Sequence, residues 1–359
     1  MHLKQLTLQN FRNYKKSTFN FSENTTLVVG PNTSGKSNLI EAIFFLSTGR
    51  SFRVESDGQC IKFEKEIARI KGKVEDKELE VVIAQGGVSR KLRPFKKYLV
   101  NGVSKRKVDF VGNFFAVLFA PNDLEIIVGS PFKRREFMDN ILIQVDRDYR
   151  LALSFYEKGL RARNALLHKV KETGVRNEKE FIYWDNLLIV QGQKITKIRE
   201  EFIKYLNDSK KNILKFEIFY DKSLISKERL LQYKDVEIGA GVTLVGPHRD
   251  DLSIRINSDK DIRYFGSRGQ QRLAILQLKL LELIFIEQET GERPVLLLDD
   301  IFSELDEDHI NLVLNMTRLP SPGTGGQVGK QQTIITTTHK EFVGNKLLKE
   351  MSVIELQKK

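Results

Sequence analysis

Cysteine is nearly absent. Cys60 is the only one in 359 residues, which excludes an internal disulfide and any zinc site built on cysteines. Long apolar runs are missing too: the richest stretch, Leu273 to Ile286, is interrupted by Lys279 and Glu282, so nothing reads as a membrane span. The N-terminus, MHLKQLTLQNF, alternates like a strand and lacks the apolar centre of a signal peptide. A cytoplasmic protein is the expectation. Acidic residues are outnumbered 47 to 59 by lysine and arginine, a formal net charge of +12. That excess favours a polyanionic partner, nucleic acid or membrane surface, over an acidic protein. The length suits about two domains, and 40% hydrophobic with 30% charged residues is ordinary for a soluble chain.

What is present centres on Thr26 to Phe45, TLVVGPNTSGKSNLIEAIFF. A β-branched run stops at Gly30, the pattern G-x-x-x-x-G-K-[ST] ends at Gly35-Lys36-Ser37, and apolar residues then recur at helical spacing through Leu39, Ile40, Ile43 and Leu46 to a C-cap at Gly49. Strand, glycine loop and helix is the arrangement that turns backbone N–H groups onto a polyphosphate. In it Lys36 reaches the outer phosphates and the Ser37 hydroxyl ligates Mg²⁺. The expected nucleotide contacts are Gly30, Asn32, Thr33, Ser34, Gly35, Lys36, Ser37 and Asn38.

Met1 to Phe21 reads as paired strands turning near Phe11-Arg12-Asn13-Tyr14, where Arg12 or Tyr14 could touch a phosphate or a base, or be solvated turn residues. Arg50-Ser51-Phe52-Arg53 sets two arginines around an aromatic past the loop helix and suits a phosphate backbone. Strands follow from Glu66 to Lys107, with Asn101-Gly102 as a two-residue hairpin turn. Basic residues crowd this region, including Arg90-Lys91, Arg93, Lys96-Lys97, Lys105 and Arg106. They form either an electrostatic track or a solvated sheet face.

A buried strand over Phe114 to Phe119 precedes Ser130-Pro131, an N-cap with proline at the first helical position. Helical spacing then continues to about Asp208, broken once at Lys171 to Gly174, and opens with Lys133-Arg134-Arg135, which either meets DNA or is an exposed turn. Strands are expected again at Phe216 to Tyr220 and Val242 to Val245. The turn after the second, Gly246-Pro247-His248-Arg249-Asp250-Asp251, is read as ion pairs, since its spacing matches no standard ligand set.

Ser267-Arg268-Gly269-Gln270-Gln271 opens an apolar helix whose free N–H groups form a second anion site. Val295 to Leu298 is a continuous apolar run suited to a central parallel strand, ending in Asp299-Asp300 where an α/β sheet places its chemistry. Asp299 would share the Mg²⁺ with Ser37, and Asp300 would orient or deprotonate the attacking water. A further buried strand, Thr333 to Thr338, ends at His339, either a γ-phosphate sensor or a surface histidine. Ser321 to Gly326 between them reads as a flexible loop.

These motifs, in this order, resemble the head domain of ABC-type ATPases that act on DNA, the group that contains the structural-maintenance-of-chromosomes proteins, and within it the RecF family. The fragments NFRNY, GPNTSGKSNLIEAI, GRSFR, APNDLEIIVGSPFKRREFMD, GPHRDDL, SRGQQR and DDIFSELD carry the likeness over most of the chain. It implies an α/β ABC-type head with a P-loop and mixed and parallel sheets, built from residues 1–129 and 209–359, with a helical subdomain over 130–208. It implies an ATPase with weak, DNA-stimulated turnover, using ATP and Mg²⁺. In the clamp it implies, Lys36 of one chain meets Ser267, Gly269 and Gln270 of its mate across the γ-phosphate, so that ATP closes a homodimer on double-stranded or gapped DNA. The implied partners are RecR, RecO and RecA. The sequence departs from the ABC pattern in SRGQQ for LSGGQ, in Asp300 for glutamate, and in offering only Asn122 or Asp123 for the Q-loop glutamine. A shorter carboxylate reaches less far toward the water, so slow turnover is the expectation. A nucleotide-binding subunit with a non-DNA partner is the alternative.

Overall fold

The computed structural model describes residues 1–54, 56–85, 95–257, 259–301, 331–339, 348 and 351–357. Arg90, Lys91, Arg93, the stretch Phe302 to Asp306 and the loop Ser321 to Gly326 lie outside the described residues. The chain divides into two compact units, one of Met1–Asn122 with Glu282–Lys359 and the other of Asp123–Leu281. Residues 209–281, expected in the head, therefore cluster with the helical segment.

In the first unit β1 (Leu3–Phe11) and β2 (Tyr14–Asn20) form the expected hairpin, followed by β3 (Thr25–Val29) and the helix Lys36–Thr48. Next come β4 (Ile67–Val74), β5 (Lys77–Ala84), β6 (Phe95–Val100), β7 (Val103–Lys105) and β8 (Ala116–Phe119). The second unit contributes β9 (Glu217–Asp221), β10 (Asp251–Ile256) and β11 (Lys260–Asp261), and the chain returns with β12 (Val295–Asp299), β13 (Thr333–Thr337) and β14 (Ser352–Glu355).

Two sheets of the first unit enclose the loop helix. One is parallel, in the order β14-β3-β13-β12-β8, and the other is the antiparallel β2-β1-β4-β5-β6-β7. The helix packs on strands of both, which is why Leu39 through Leu46 are buried all round it rather than along one stripe. Gly72 of β4 is part of that fit, since a Cβ there would lie 2.4 Å from Leu46. β12 and β13 are buried at every position, as central parallel strands are. The helix ends at Gly49, in the left-handed region at φ 69°, with its N–H on the Phe45 carbonyl. Asn101 and Gly102, at φ 50° and 75°, make the two-residue turn between β6 and β7.

β4 alternates cleanly. Ala68, Ile70 and Val74 face inward, while Arg69 and Lys71 on the solvent face pair with Glu80 and Glu78, each at 2.8 Å.

The second unit carries the helices Pro131–Val145, Arg147–Thr173 and Glu178–Asp208. The helical region is broken twice, not once. Asp146 interrupts it first, its side chain accepting from the Asp148 and Tyr149 N–H groups, and Gly174 ends the next helix. The strand expected at Val242 to Val245 does not form. Its backbone donors are taken by side chains instead: Thr243 N–H by Asn164 and Leu244 N–H by Glu237, both at 2.8 Å. Among the described residues no helix is long and apolar enough to cross a membrane.

The GPHRDD turn anchors a buried polar network, as its reading by ion pairs expected. Arg199 donates to Asp139 at 2.7 Å and to Asp250 at 2.8 Å, and Tyr220 also donates to Asp250. His248 Nε2 faces the Thr243 carbonyl at 3.0 Å, so it carries the proton, and Nδ1 accepts from the Tyr156 hydroxyl at 2.8 Å. No group of three or more histidine, cysteine, aspartate or glutamate side chains among the described residues is placed to hold a metal ion.

Candidate nucleotide site

The phosphate loop leaves β3 at Gly30 and winds into the helix through two left-handed residues, Thr33 at φ 72° and Gly35 at φ 108°. Both of its motif glycines stand where a side chain would collide: a Cβ on Gly30 would lie 2.7 Å from the Leu356 carbonyl, and one on Gly35 2.8 Å from the Tyr14 hydroxyl. Lys36 Nζ donates to the Gly30 and Pro31 carbonyls at 2.6 and 3.1 Å. Burial lowers its pKa, against the attraction of Asp300 and Asp299. Asn32 and Thr33 are exposed on the loop, whereas Ser34 is buried and its hydroxyl has no hydrogen-bond partner among the described residues.

The parallel sheet brings the carboxylates to this loop. Ser37 Oγ donates to Asp299 Oδ1 at 3.1 Å, and Thr336 Oγ1 on the neighbouring strand donates to the same oxygen at 2.7 Å. Asp299 is 6% exposed, and burial pushes its carboxyl above the usual range, opposed by those two hydroxyls and by Arg53. Asp300 follows in the left-handed region at φ 50°, its N–H on Thr336. His339 is exposed just past β13 and lines, with Gly30, Asn32, Thr338 and Glu355, a cleft of about 540 Å³.

The structure thus gathers Gly30, Lys36 and Ser37 of the loop with Asp299 and Asp300 from a second, distant stretch of sequence. A hydroxyl and a carboxylate are hard oxygen donors of the kind Mg²⁺ accepts, and the orphaned Ser34 hydroxyl lies in the loop that would cradle phosphate. The residues fit a nucleotide with Mg²⁺.

Arg12, expected at a phosphate or a base or else in a solvated turn, is held by partners within the chain. Its Nε and Nη2 pair with the two oxygens of Glu41 at 2.8 and 2.5 Å, and Nη1 donates to the Gln59 carbonyl. Glu41, on the loop helix, is fully buried and also accepts from Ser51 Oγ at 2.5 Å. Arg53 sits between Asn38, to which it donates at 2.7 Å, and Glu41 at 3.7 Å, so it belongs to the surroundings of the loop helix. Asn13 and Tyr14 donate to the Ser34 and Gly35 carbonyls, both at 3.1 Å. Sequence reasoning missed Glu41 and Asn13; for Glu41 the available signal was a charged residue among apolar positions of the loop helix, and for Asn13 there was none beyond its place in a turn.

In the second unit Ser267 caps the helix Arg268–Thr290. Its Oγ accepts from Gln270 N–H at 3.2 Å while Gln270 Oε1 accepts from Ser267 N–H at 2.9 Å, a reciprocal capping box. Ser267 and Gly269 are exposed, and among the described residues a Cβ on Gly269 would meet only Ser267 Oγ, at 3.9 Å. Asp123 pairs with Lys279 of the same helix at 3.5 Å.

Of the arginines and lysines expected at DNA, Lys105 and Arg106 are exposed, the latter paired with Asp109. Arg50 is half-buried, and Lys133 pairs with Glu136 at 2.9 Å. Arg134 is a correction. It is 1% exposed and grips Asp251 through Nε and Nη2 at 2.5 and 3.0 Å, so it is a core ion pair and not a surface contact.

The chain is similar to known proteins over nearly its whole length. A family model described as the RecF/RecN/SMC N terminal domain matches residues 2–359. The chain is 35% identical over 382 residues to the DNA replication and repair protein RecF of Bacillus cereus (strain AH820), covering 99% of this chain and 97% of that protein. Two solved structures share the fold. The recombination mediator protein RecF-ATPrS in the RecFOR pathway has a TM-score of 0.82 and 35% identity, covering 95% of this chain and 94% of that one. The corresponding RecF-ATP structure has a TM-score of 0.82 and 36% identity, covering 94% and 92%. Since sequence and fold agree over nearly its whole length, with the phosphate loop and its paired carboxylates at the centre, the chain belongs to the RecF family of ABC/SMC-like ATPases.

Proposed function

We propose that this protein is an ATP-dependent, DNA-binding recombination mediator of the cytoplasm. ATP binding closes a head-to-head dimer on duplex or gapped DNA, and slow hydrolysis releases it, assisting RecA loading together with RecR and RecO. The observation that carries the reading is the pairing, in one chain, of a phosphate loop facing Asp299 and Asp300 with a second helix start whose cap residues are exposed. The relatives' description as DNA replication and repair proteins and as mediators of the RecFOR pathway supports the biological role and the partners.

In this reading Lys36 and the loop N–H groups bind the phosphates, and Ser37 with Asp299 hold Mg²⁺. Bound there, Mg²⁺ would supply neutralisation of phosphate charge. Asp300 orients or deprotonates water, and His339 contacts the γ-phosphate. Ser267, Gly269 and Gln270 of the mate complete the site: among the described residues Gly269 has neither a left-handed φ nor a close neighbour, so nothing described there requires a glycine, which disfavours helix relative to alanine. Lys105, Arg106 and the net charge of +12 supply the electrostatic attraction for DNA.

The experiment is ATP turnover with and without gapped duplex DNA, alongside the oligomeric state of Asp300→Asn at saturating ATP. DNA raising a slow rate that Lys36→Arg lacks, with an Asp300→Asn dimer, is the expected result. Equal rates in low salt and a monomer would sink the DNA clamp and favour an ABC-type switch with a non-DNA partner.

A further inference from the structure

Each peptide plane is rigid, and its N–H points opposite its C=O. The carbonyl of Ser34 belongs to the peptide that carries the Gly35 N–H, and the carbonyl of Gly35 to the one that carries the Lys36 N–H. These are two of the donors a phosphate loop turns inward. Ser34 O is held from the β1–β2 turn by Asn13 Nδ2 at 3.1 Å, and Gly35 O, which also accepts the first helical bond from Leu39 N–H at 3.0 Å, receives a second bond from the Tyr14 hydroxyl at 3.1 Å. Tyr14 is 1% exposed.

The Asn13 amide is itself oriented. Its Oδ1 accepts from Asn38 Nδ2 at 2.9 Å, which leaves Nδ2 facing Ser34 O. Asn38 is fixed in turn by Arg53 on its Oδ1 at 2.7 Å, and Arg53 lies 3.7 Å from Glu41, which Arg12 grips. Since Arg12 and Asn13 are chain neighbours, the contacts close into a ring around the first turns of the loop helix. The left-handed Gly35 fits against it, because any Cβ there would lie 2.6 Å from Asn13 Nδ2.

We propose that Asn13 and Tyr14 are positioning residues for ATP: they hold the 34–35 and 35–36 peptide planes with their N–H groups turned toward the phosphates, without touching the nucleotide. The inference rests on the nucleotide-site reading above and adds to it two residues outside the G-x-x-x-x-G-K-[ST] pattern.

Asn13→Asp discriminates this role from a structural one. The substitution is nearly isosteric and keeps the acceptor for Asn38, but it replaces the donor to Ser34 O with a second acceptor. Asn13→Ala removes both bonds without repulsion. Calorimetric ATP binding to the full chain should weaken about tenfold for Asn13→Ala, the equivalent of one lost hydrogen bond, and further for Asn13→Asp. Tyr14→Phe should weaken it several-fold. KM for ATP should rise by more than kcat falls, and the nucleotide-free unfolding midpoint of Asn13→Ala should stay near that of the parent. Unchanged ATP affinity in Asn13→Asp, or an affinity loss matched by a lowered nucleotide-free midpoint in Asn13→Ala, would overturn the proposal. Lys36→Met is the control: if it binds ATP as the parent does, the nucleotide site itself is wrong and the positioning role goes with it. Lys36 dependence without Asn13 dependence removes only the latter.

Discussion

The Ser37 hydroxyl donates to the Asp299 carboxylate at 3.1 Å, joining a loop helix to the end of a strand 262 residues further along the chain. In the proposed reading these two oxygens, one neutral and one charged, hold the divalent cation. Asp299→Asn retains an oxygen for Ser37 and Thr336 but loses the charge. The Mg²⁺ concentration for half-maximal ATPase should therefore rise about tenfold or more, on the scale of losing one charged contact of 1.5–3 kcal/mol. Thermal stability should hold or improve, because burial already disfavours the ionised carboxylate. A Mg²⁺ titration of turnover, read beside the melting curve, checks both halves.

Asp300 tests the division of labour between the two carboxylates. Its φ of 50° suits asparagine as well as aspartate, so Asp300→Asn should fold and bind ATP normally. Single-turnover hydrolysis should fall about 100-fold or more, the range for loss of a general base. A rate within a few-fold of the parent would assign the water to another group.

The site was legible where its chemistry is local. Gly30 to Ser37 announces a phosphate loop by spacing alone, and the apolar run into Asp299 announces a central strand, because parallel strands buried on both faces need no alternation. What sequence could not show are the pairings made at long range. Val242 to Val245 has strand composition, yet Asn164 and Glu237 take the N–H groups a ladder would use. Arg134 sits in a basic triplet that reads as surface, yet it is buried and paired with Asp251, 117 residues later, and with the Gly129 carbonyl. Glu41 looks like a solvated helix position until the second sheet and Arg12 close over it.

Burial makes Arg134 and Arg106 opposite in behaviour. Arg134→Ala should destabilise the protein by about 3–5 kcal/mol, the cost of breaking a buried ion pair, and any loss of DNA binding should follow unfolding. Lys105→Ala and Arg106→Ala should shift stability by less than about 0.5 kcal/mol. If they contact phosphates, each lowers the salt slope of DNA binding by about one. Denaturant midpoints and binding isotherms across salt concentrations separate the two classes.

His248 makes the second unit sensitive to acid. Burial lowers its pKa to about 4, only partly offset by its bond to the Thr243 carbonyl, against about 6.5 in an unfolded chain. Between those values the unfolded state binds the proton and the folded state does not, so stability rises with pH across that window. The contribution is complete above pH 6.5 and is lost as pH falls toward 4, with a magnitude on the order of 3 kcal/mol from the shift. Urea unfolding at pH 7, 5.5 and 4.5 should show the parent losing more stability than His248→Gln, whose amide can still donate to Thr243 O and does not titrate. Parallel pH profiles for the two proteins would mean that the imidazole exchanges its proton equally in both states, and that the Tyr156 and Thr243 bonds do not hold it neutral.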